Sequence, residues 1–264
     1  MANKKLTFRE KIVTGIRKSS AIILFLAIWQ ILPSIGVVNK LFIPPITDIL
    51  SVLVSLAKSG ELAAHTEASL ARAVGGFALA AVIGIPLGFL LGGWFKKFEE
   101  FLDPLLQLLA QINPFSLFPV FILFFGIGEQ AKIAIIFWVS IWPVLFNTIL
   151  GVKTIDPLLI KGARAMATPK FSLFYKVVLP GAAPLIFAGI KQSIGTAFLM
   201  LIAAEMIGAN KGLGWLILNA QVNYNINKLF AAAITIALLG IILTKIVSII
   251  EKRVITWKEE SPSI

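Results

Sequence analysis

The residues of this chain that could carry chemistry are amides, hydroxyls and one carboxylate set inside long apolar runs. They form two sets: Gln111, Asn113 and Ser116 in one run, and Gln192, Ser193, Thr196 and Glu205 in another. Polar side chains inside a membrane span mark either a solute path or hydrogen bonds between helices, because lipid satisfies neither their polar atoms nor their charges. We predict that both sets line a solute path. Hydrogen bonding to neighbouring helices is the alternative, and for Glu205 a hydrogen-bonded structural role at the membrane boundary is the preferred interpretation.

The runs that position these residues are hydrophobic enough to cross a membrane. The chain is 58% hydrophobic and 14% charged, with a mean hydropathy of +0.92. Soluble domains carry about 25% charged residues, so this composition predicts an all-α integral membrane protein. The net charge of +11 then belongs to loops at the membrane surface, and we expect no nucleic-acid partner.

Cysteine and histidine limit the chemistry further. The absence of cysteine excludes disulfides, thiol nucleophiles and Cys-ligated metals, and a single histidine, His65, excludes a His-rich metal site. We expect His65 to be an ordinary exposed or interfacial side chain. The motifs GxxxxGKS, GxxxxGKT, HExxH and GxSxG are absent. The chain is therefore predicted to be no enzyme, to bind no metal or cofactor, and to need a partner for any ATP hydrolysis.

Hydropathy divides the chain into six predicted spans. A basic N-terminus, 1–19, precedes a first span at 20–37, which we interpret as uncleaved because no small-x-small cleavage site comes after it. An external amphipathic segment, 38–72, contains a helix that we expect Thr47 to cap and Gly60 to end. The core, 73–250, holds five spans, and residues 251–264 form a tail. These five spans are predicted at about 73–94, 102–125, 131–150, 181–208 and 229–250.

Prolines and small residues add detail to these spans. We predict that Asn113-Pro114 and Pro119 each break the third span. A small residue recurs at every fourth position of the second span, which allows another helix to approach closely, and packing within the chain is preferred to a dimer contact. This stripe consists of Gly76, Ala80, Gly84, Gly88 and Gly92. A turn-rich external loop is predicted from Ala209 to Lys228.

The longest polar passage between two apolar runs extends from Lys161 to Pro180, within a loop at 151–180. It carries four basic residues and no acid, and its apolar residues recur at three-to-four-residue spacing, which predicts two short helices. Thr168 and Pro169 separate them, and Thr168 is the expected cap of the second helix. A short basic helix–turn–helix at a membrane surface is suited to docking into another protein.

The distribution of charge predicts the orientation. With both termini in the cytoplasm, the cytoplasmic segments hold sixteen lysines and arginines and the external segments hold six. This bias obeys the positive-inside rule, and six spans return both ends to one side. The loop at 151–180 is then cytoplasmic.

From Leu41 to Trp257 the chain resembles the permease subunits of binding-protein-dependent ABC importers, in the nitrate, sulfonate and taurine branch. The segments that carry the resemblance are FIPPITDIL, ASLARAVGGFALAAVIGIPLGFLLGG, DPLLQLLAQINP, FPVFILFFGIG, WPVLFNTILGVKTID, GARAMATPKFSLFYKVVLPGAAPLIFAGI and AAEMIGANKGLGWLI. The resemblance implies the six-helix fold of type I ABC importers with a cytoplasmic coupling helix, placed in the cell inner membrane. It also implies alternating access for a small organic or inorganic anion such as sulfonate, taurine or nitrate.

The same resemblance implies the partners. They are two ABC ATPase subunits that use ATP and Mg, an external solute-binding protein, and a second, identical permease copy. In that family the cytoplasmic loop has the form EAAxxxGxxxxxxxxxLP, and its first helix docks on the ATPase. Lys161 and Ala167 depart from this pattern, because they stand where it has Glu and Gly. The implied ATPase-coupling residues are Lys161, Gly162, Ala163, Arg164, Ala167, Thr168 and Pro180.

Three alternatives remain open from the sequence. The solute could be a vitamin, a thiamine precursor or a riboflavin-type compound, as in related branches. A stand-alone secondary transporter would show inverted repeats and more charge inside the membrane, and neither is evident. An intramembrane enzyme would need the His, Cys or paired carboxylates that the spans lack.

Overall fold

A computed structural model describes residues 8–256 of the chain, with side chains from residue 20 onward. The described part is helical, with no strand. The helices are α1 Phe8–Ser34, α2 Ile46–Lys58, α3 Glu61–Phe89, α4 Lys96–Gln111, α5 Pro114–Phe125, α6 Glu129–Lys153, α7 Pro157–Ala165, α8 Lys170–Leu173, α9 Leu179–Met206, α10 Leu213–Val222 and α11 Ile226–Val254. A π-helical turn, Leu90–Trp94, extends α3, and a second, Phe174–Val178, joins α8 to α9. The described residues fall into two compact units.

The first unit comprises the residues up to Leu62 together with Leu216–Ala233. The Trp29 indole N–H donates to the Pro44 carbonyl at 3.1 Å, and the Trp29 ring packs edge-on against Phe230 with centroids 5.7 Å apart. The Lys228 ammonium pairs with the Glu61 carboxylate at 2.6 Å. The two Trp29 contacts hold α1 against the start of α2 and against α11.

Two expectations about this unit are corrected. The first helix ends at Ser34 rather than residue 37, and it begins at Phe8, inside the predicted N-terminal segment. Thr47 does not cap α2: the helix begins at Ile46, Pro45 occupies the cap position, and Thr47 instead exchanges hydrogen bonds with the Gln30 amide. The predicted amphipathic character of α2 is confirmed, because Ile49 and Leu56 are its buried residues.

The second unit comprises Ala63–Trp215 and the residues from Ile234 onward. Its core is built where α6 packs against α3 and α9. The small-residue stripe of α3 faces α6, and a Cβ added at Gly76 would lie 2.6 Å from Ile136 Cγ2, while one at Gly88 would lie 2.5 Å from Thr148 Cβ. The stripe therefore packs within the chain, as the preferred interpretation had it.

The predicted break of the third span is confirmed at one proline and wrong at the other. α4 and α5 meet at 91°, at the step from Gln111 to Pro114. Asn113 caps α5 by accepting a hydrogen bond from the Phe115 N–H at 2.9 Å. Pro119 lies inside α5 without ending it.

Three other boundaries differ from the sequence prediction. α3 begins at Glu61, so residues 61–72 belong to the second span rather than to the external segment. The predicted loop from Ala209 to Lys228 contains the helix α10. The last helix is longer at both ends than 229–250 and continues into the predicted tail, whose residues 257–264 lie outside the described part of the chain. Length and composition identify four candidate spans in the described part, or five when the bent pair α4–α5 counts as one.

The close approach of α3 and α6 gives a testable consequence. Gly76→Ala should lower the free energy of unfolding by about 1–3 kcal/mol, because the new Cβ meets the Ile136 side chain at a distance that Cβ atoms do not adopt. Thermal unfolding of the detergent-purified chain measures the change. Gly75→Ala is the matched control, since its nearest neighbour would be 3.8 Å away at Ile133. An equal loss in both variants would contradict this packing.

Candidate functional site

The predicted docking segment begins earlier than its basic residues suggested. α7 starts at Pro157, and the Asp156 carboxylate caps it by accepting a hydrogen bond from the Leu158 N–H at 2.8 Å. The structure describes every residue of α7 and buries none of them. Lys161, Gly162 and Arg164 are exposed, whereas Ala163 is half-buried. The helix is thus exposed along its length, and four of the implied coupling residues, at 161–164, lie in its second half.

The second short helix predicted in this passage is not separate. α8, the π-helical turn and α9 form one continuous span of 37 residues from Lys170 to Met206, and Pro180 lies in the first turn of α9. Thr168 does not cap it. Pro169 occupies the cap position, and no side chain in the described part caps this end. The predicted fifth span therefore starts ten residues earlier than Pro180.

The turn between α7 and α8 forces an unusual backbone conformation on Ala167. Its φ of +53° lies in the left-handed region, which glycine adopts without steric cost. Ala167 is also the position at which the resembled family has glycine. Ala167 therefore has the left-handed backbone conformation that suits glycine, although its own Cβ makes that conformation unfavourable.

The polar residues of the broken span lie at the α4–α5 junction. Gln111 and Ser116 are exposed, and the exposed Asn113 uses its side-chain oxygen to cap α5. An apolar cavity of about 340 Å³ lies nearby and is lined by Ile112, Phe115 and residues of α6 and α9, but not by Gln111, Asn113 or Ser116. A role of these three residues in a solute path stays a prediction.

The polar residues of α9 have different surroundings. Ser193 is fully buried and donates to the Ser140 carbonyl at 2.8 Å, so it joins α9 to α6. Thr196 lines the apolar cavity and donates to the Ser193 carbonyl at 3.0 Å. Gln192 is exposed, with its side-chain oxygen 3.4 Å from the Asn147 amide nitrogen. A role of this set in a solute path also stays a prediction, and Gln192 and Thr196 are its more accessible members.

Glu205 lies at the centre of an ionic cluster that is buried except for Glu129, whose side chain is 60% exposed. The Arg72 guanidinium on α3 donates from Nη1 to Glu205 Oε1 at 2.7 Å and from Nη2 to Glu129 Oε1 at 2.8 Å. The Arg72 side chain is 5% exposed and that of Glu205 is 0% exposed. The buried Lys132 ammonium lies 3.7 Å from Glu129. Two cations and two carboxylates thereby join α3, α6 and α9 at one end of their spans.

The segment between α9 and α10 folds over this carboxylate. The Gly214 N–H and the Ser69 hydroxyl both donate to Glu205, each at 2.8 Å. The Arg72 guanidinium donates to the Lys211 carbonyl at 2.6 Å. Gly212 has a φ of +130°, and a Cβ there would lie 2.4 Å from the Glu205 carboxylate, so only glycine fits. Glu205 is therefore enclosed by donors and has the contacts that its structural interpretation requires.

His65 was expected to be exposed or interfacial, and this is wrong. It is 7% exposed, accepts a hydrogen bond from the Gly212 N–H at its Nδ1, 3.0 Å away, and stacks on Trp215 with ring centroids 5.2 Å apart. The cause is the early start of α3, which places residue 65 inside a packed helix. His65, Ser69 and Arg72 succeed one another at spacings of four and three, on the face that continues into Gly76. This helical spacing was the signal that could have identified them.

Breaking the Arg72–Glu205 pair should destabilise the fold. Arg72→Gln should lower the free energy of unfolding by about 3 kcal/mol or more, because it leaves the buried Glu205 carboxylate without its cation. Glu205→Gln should cost less, because Arg72 keeps Glu129 as a partner. The double variant should cost less than the sum of the two. Unfolding of the three variants in detergent measures this coupling. Lys228→Gln is the control, and breaking this partly exposed pair with Glu61 should cost under about 1 kcal/mol.

The turn at Ala167 gives a stabilising prediction. Ala167→Gly should raise the free energy of unfolding by about 1 kcal/mol, because glycine adopts the positive φ without the Cβ clash. Thermal unfolding of the purified chain is the measurement. Ala163→Gly, four residues earlier and inside α7, is the control and should be destabilising. A loss of stability in Ala167→Gly would show that the residue does not adopt this backbone.

Comparison with known proteins gives relatives along most of the chain. A putative aliphatic sulfonates transport permease protein of Bacillus subtilis (strain 168) is 36% identical over 233 residues, which is 88% of this chain and 84% of the relative. The taurine transport system permease protein of Escherichia coli (strain K12) is 28% identical over 89% of this chain and 87% of its own length. The nitrate import permease protein of Leptolyngbya laminosa is 35% identical over 71% of this chain and 67% of its own length.

The family itself is identified by its sequence pattern. The pattern of the family described as binding-protein-dependent transport system inner membrane component matches residues 84–256. This range includes α7, the continuous span from Lys170 to Met206 and Glu205. The chain therefore belongs to the family of binding-protein-dependent transport system inner membrane components.

Proposed function

We propose that this chain is the permease subunit of an ATP-driven ABC importer and forms the path for a small organic or inorganic anion such as a sulfonate, taurine or nitrate. The observation that carries this proposal is the similarity, over most of the chain, to permeases named for these three solutes. Membership of a family of inner membrane transport components is also consistent with the absence of an ATPase motif from the sequence.

The proposed assembly contains four further subunits. Two ABC ATPase subunits use ATP and Mg, a second identical permease completes the path, and an external binding protein delivers the solute. The family description, which names a binding-protein-dependent system, supports the external component. The chain crosses the membrane six times with both termini in the cytoplasm, as the excess of lysine and arginine on that side supports.

Coupling to the ATPase is assigned to α7. Three apolar side chains on α7 and at its end are unusually exposed: Leu158 by 71%, Leu159 by 59% and Met166 by 82%. Exposed leucines and a methionine on a short helix favour a protein partner, because burying their apolar surface against a protein removes it from water. Gly162 lies on this side of the helix, and a Cβ there would meet no described atom within 4 Å. A partner can therefore approach the helix backbone closely at that position.

The continuous span after α7 gives the docked helix a mechanical connection. The span runs without a break from Lys170 to Met206, a length of about 55 Å at 1.5 Å per residue. The N-terminal end of this span follows the turn at Ala167, and Glu205 is the residue before its C-terminal end. A displacement of α7 by the ATPase would therefore reach the Arg72–Glu205 cluster through one helix. The π-helical turn Phe174–Val178 is the place where this helix can change direction.

The other functions considered are less well supported. The named relatives favour an anion over a vitamin, a thiamine precursor or a riboflavin-type solute. A stand-alone secondary transporter would not belong to a family that depends on a binding protein.

A bulky residue at position 162 tests the docking proposal. Gly162→Trp should leave the permease folded, because the site is open, and should abolish stimulation of ATP hydrolysis by the solute-loaded binding protein. The assay uses the reconstituted transporter, and copurification of the ATPase reports on docking itself.

Gly162→Ala is the matched control. It adds only a Cβ in open space, so stimulation should stay within about twofold of the parent. Equal stimulation in Gly162→Trp and the parent would refute α7 as the coupling helix. If stimulation falls while the ATPase still copurifies in full, docking must lie elsewhere on the chain.

A further inference from the structure

We propose that the cavity beside α7 binds the phosphate headgroup of an anionic phospholipid. The cavity has a volume of about 740 Å³, and its lining includes Trp94, Lys153 and Lys170. Each of these three residues is the terminal residue of a candidate span. The ends of membrane spans lie at the level of lipid headgroups. The cavity takes Lys161, Arg164 and Thr168 from the implied coupling set, whereas the exposed apolar side chains of α7 that the proposed function assigns to the ATPase lie outside its lining.

The charge of the lining is cationic. It contains Lys96, Lys153, Lys161, Arg164 and Lys170, and no acid is among its described residues. Lys153 pairs with the buried Glu99 at 2.5 Å, so its charge is already compensated. The other four form no ion pair with any described residue. Four uncompensated cations around one cavity repel one another until an anion enters, and each attracts anionic lipid.

The faces of α7 separate this site from the docking surface. Pro157, Ile160, Lys161 and Arg164 line the cavity, and their spacing of three, one and three places them on one helical face. Leu158, Gly162 and Met166, spaced by four, are not among the lining residues and belong to the exposed side. One short helix therefore presents its cations to the cavity and its apolar residues to a partner.

The wall of the cavity favours a lipid over a small soluble anion. Phe174 packs edge-on against Phe89 with centroids 5.0 Å apart and lies 5.9 Å from the Trp94 ring. Val152, Ile155 and Val178 continue this apolar wall, as part of a largely buried cluster. A sulfonate or inorganic phosphate would gain nothing from such a surface, whereas the glycerol and first acyl carbons of a phospholipid bury apolar area there. Trp94, which is 61% exposed, has the interfacial position typical of tryptophan.

Native mass spectrometry of the full-length chain, titrated with phosphatidylglycerol or phosphatidylcholine, tests this site. The parent should retain phosphatidylglycerol in preference to phosphatidylcholine. Lys96→Gln combined with Lys170→Gln should lower the apparent affinity for phosphatidylglycerol about tenfold and leave phosphatidylcholine binding unchanged. Neither residue belongs to the implied coupling set, and both side chains are exposed, so the fold should be kept.

The matched control is Lys97→Gln combined with Lys176→Gln. It removes the same charge from two exposed lysines outside the lining and should retain the parent's affinity. The pair Lys96→Arg and Lys170→Arg should also retain it. Equal losses in the lining and control pairs, or no preference for phosphatidylglycerol in the parent, would overturn the proposal. Inorganic phosphate that displaces phosphatidylglycerol at millimolar concentration and binds with the same dependence on Lys96 and Lys170 would assign the cavity to a soluble anion and overturn it too.

Discussion

The buried pair between Arg72 and Glu205 is the interaction on which the rest of this structure depends. Charges removed from water are stable only when they are paired and hydrogen-bonded, and here every element near the pair contributes a partner. α3 supplies Arg72 and Ser69, α6 supplies Glu129, and the segment between α9 and α10, with the first turn of α10, supplies a backbone N–H and a carbonyl. The cluster therefore fixes where three long helices and that segment end relative to one another.

Small residues and the ionic cluster act together along the same helices. The cluster fastens α3, α6 and α9 at one end, and the glycine stripe of α3 lets α6 lie against it over the next turns. Association of helices in lipid depends on close packing rather than on water exclusion, so this contact needs small side chains. At the far end the chain leaves α6, forms the exposed α7 and returns through the turn at Ala167. The helices are held together by the ionic cluster at one end and lead to the exposed α7 at the other. This arrangement is suited to transmitting a displacement of α7 along the helices to the cluster.

Sequence patterns predicted the parts of this fold that depend on local chemistry. Hydropathy located the long helices, Asn113-Pro114 marked the sharp bend, and the fourfold spacing of small residues identified the packed face of α3. The predictions that were wrong concern features that depend on contacts between residues far apart in the chain. His65 and Arg72 are buried because residues 205–215 fold over them, and no local pattern shows that segment's path. The start of α3 at Glu61 and the helix α10 were missed for a related reason. Polar residues of a membrane protein are assigned to external segments by hydropathy, and only their contacts in the folded chain show that they are buried.

We propose that α7 is a cytoplasmic helix whose exposed face docks on the ATPase. Because the chain has no cysteine, a single one introduced at Met166, which is 82% exposed at the end of α7, gives an unambiguous probe. The measurement is its reaction with a membrane-impermeant thiol reagent in intact cells and in inside-out vesicles, with and without the ATPase subunit. We expect no reaction in cells, reaction in inside-out vesicles, and protection when the ATPase is bound. Reaction from outside the cell, or reaction in vesicles that the bound ATPase does not reduce, would contradict it.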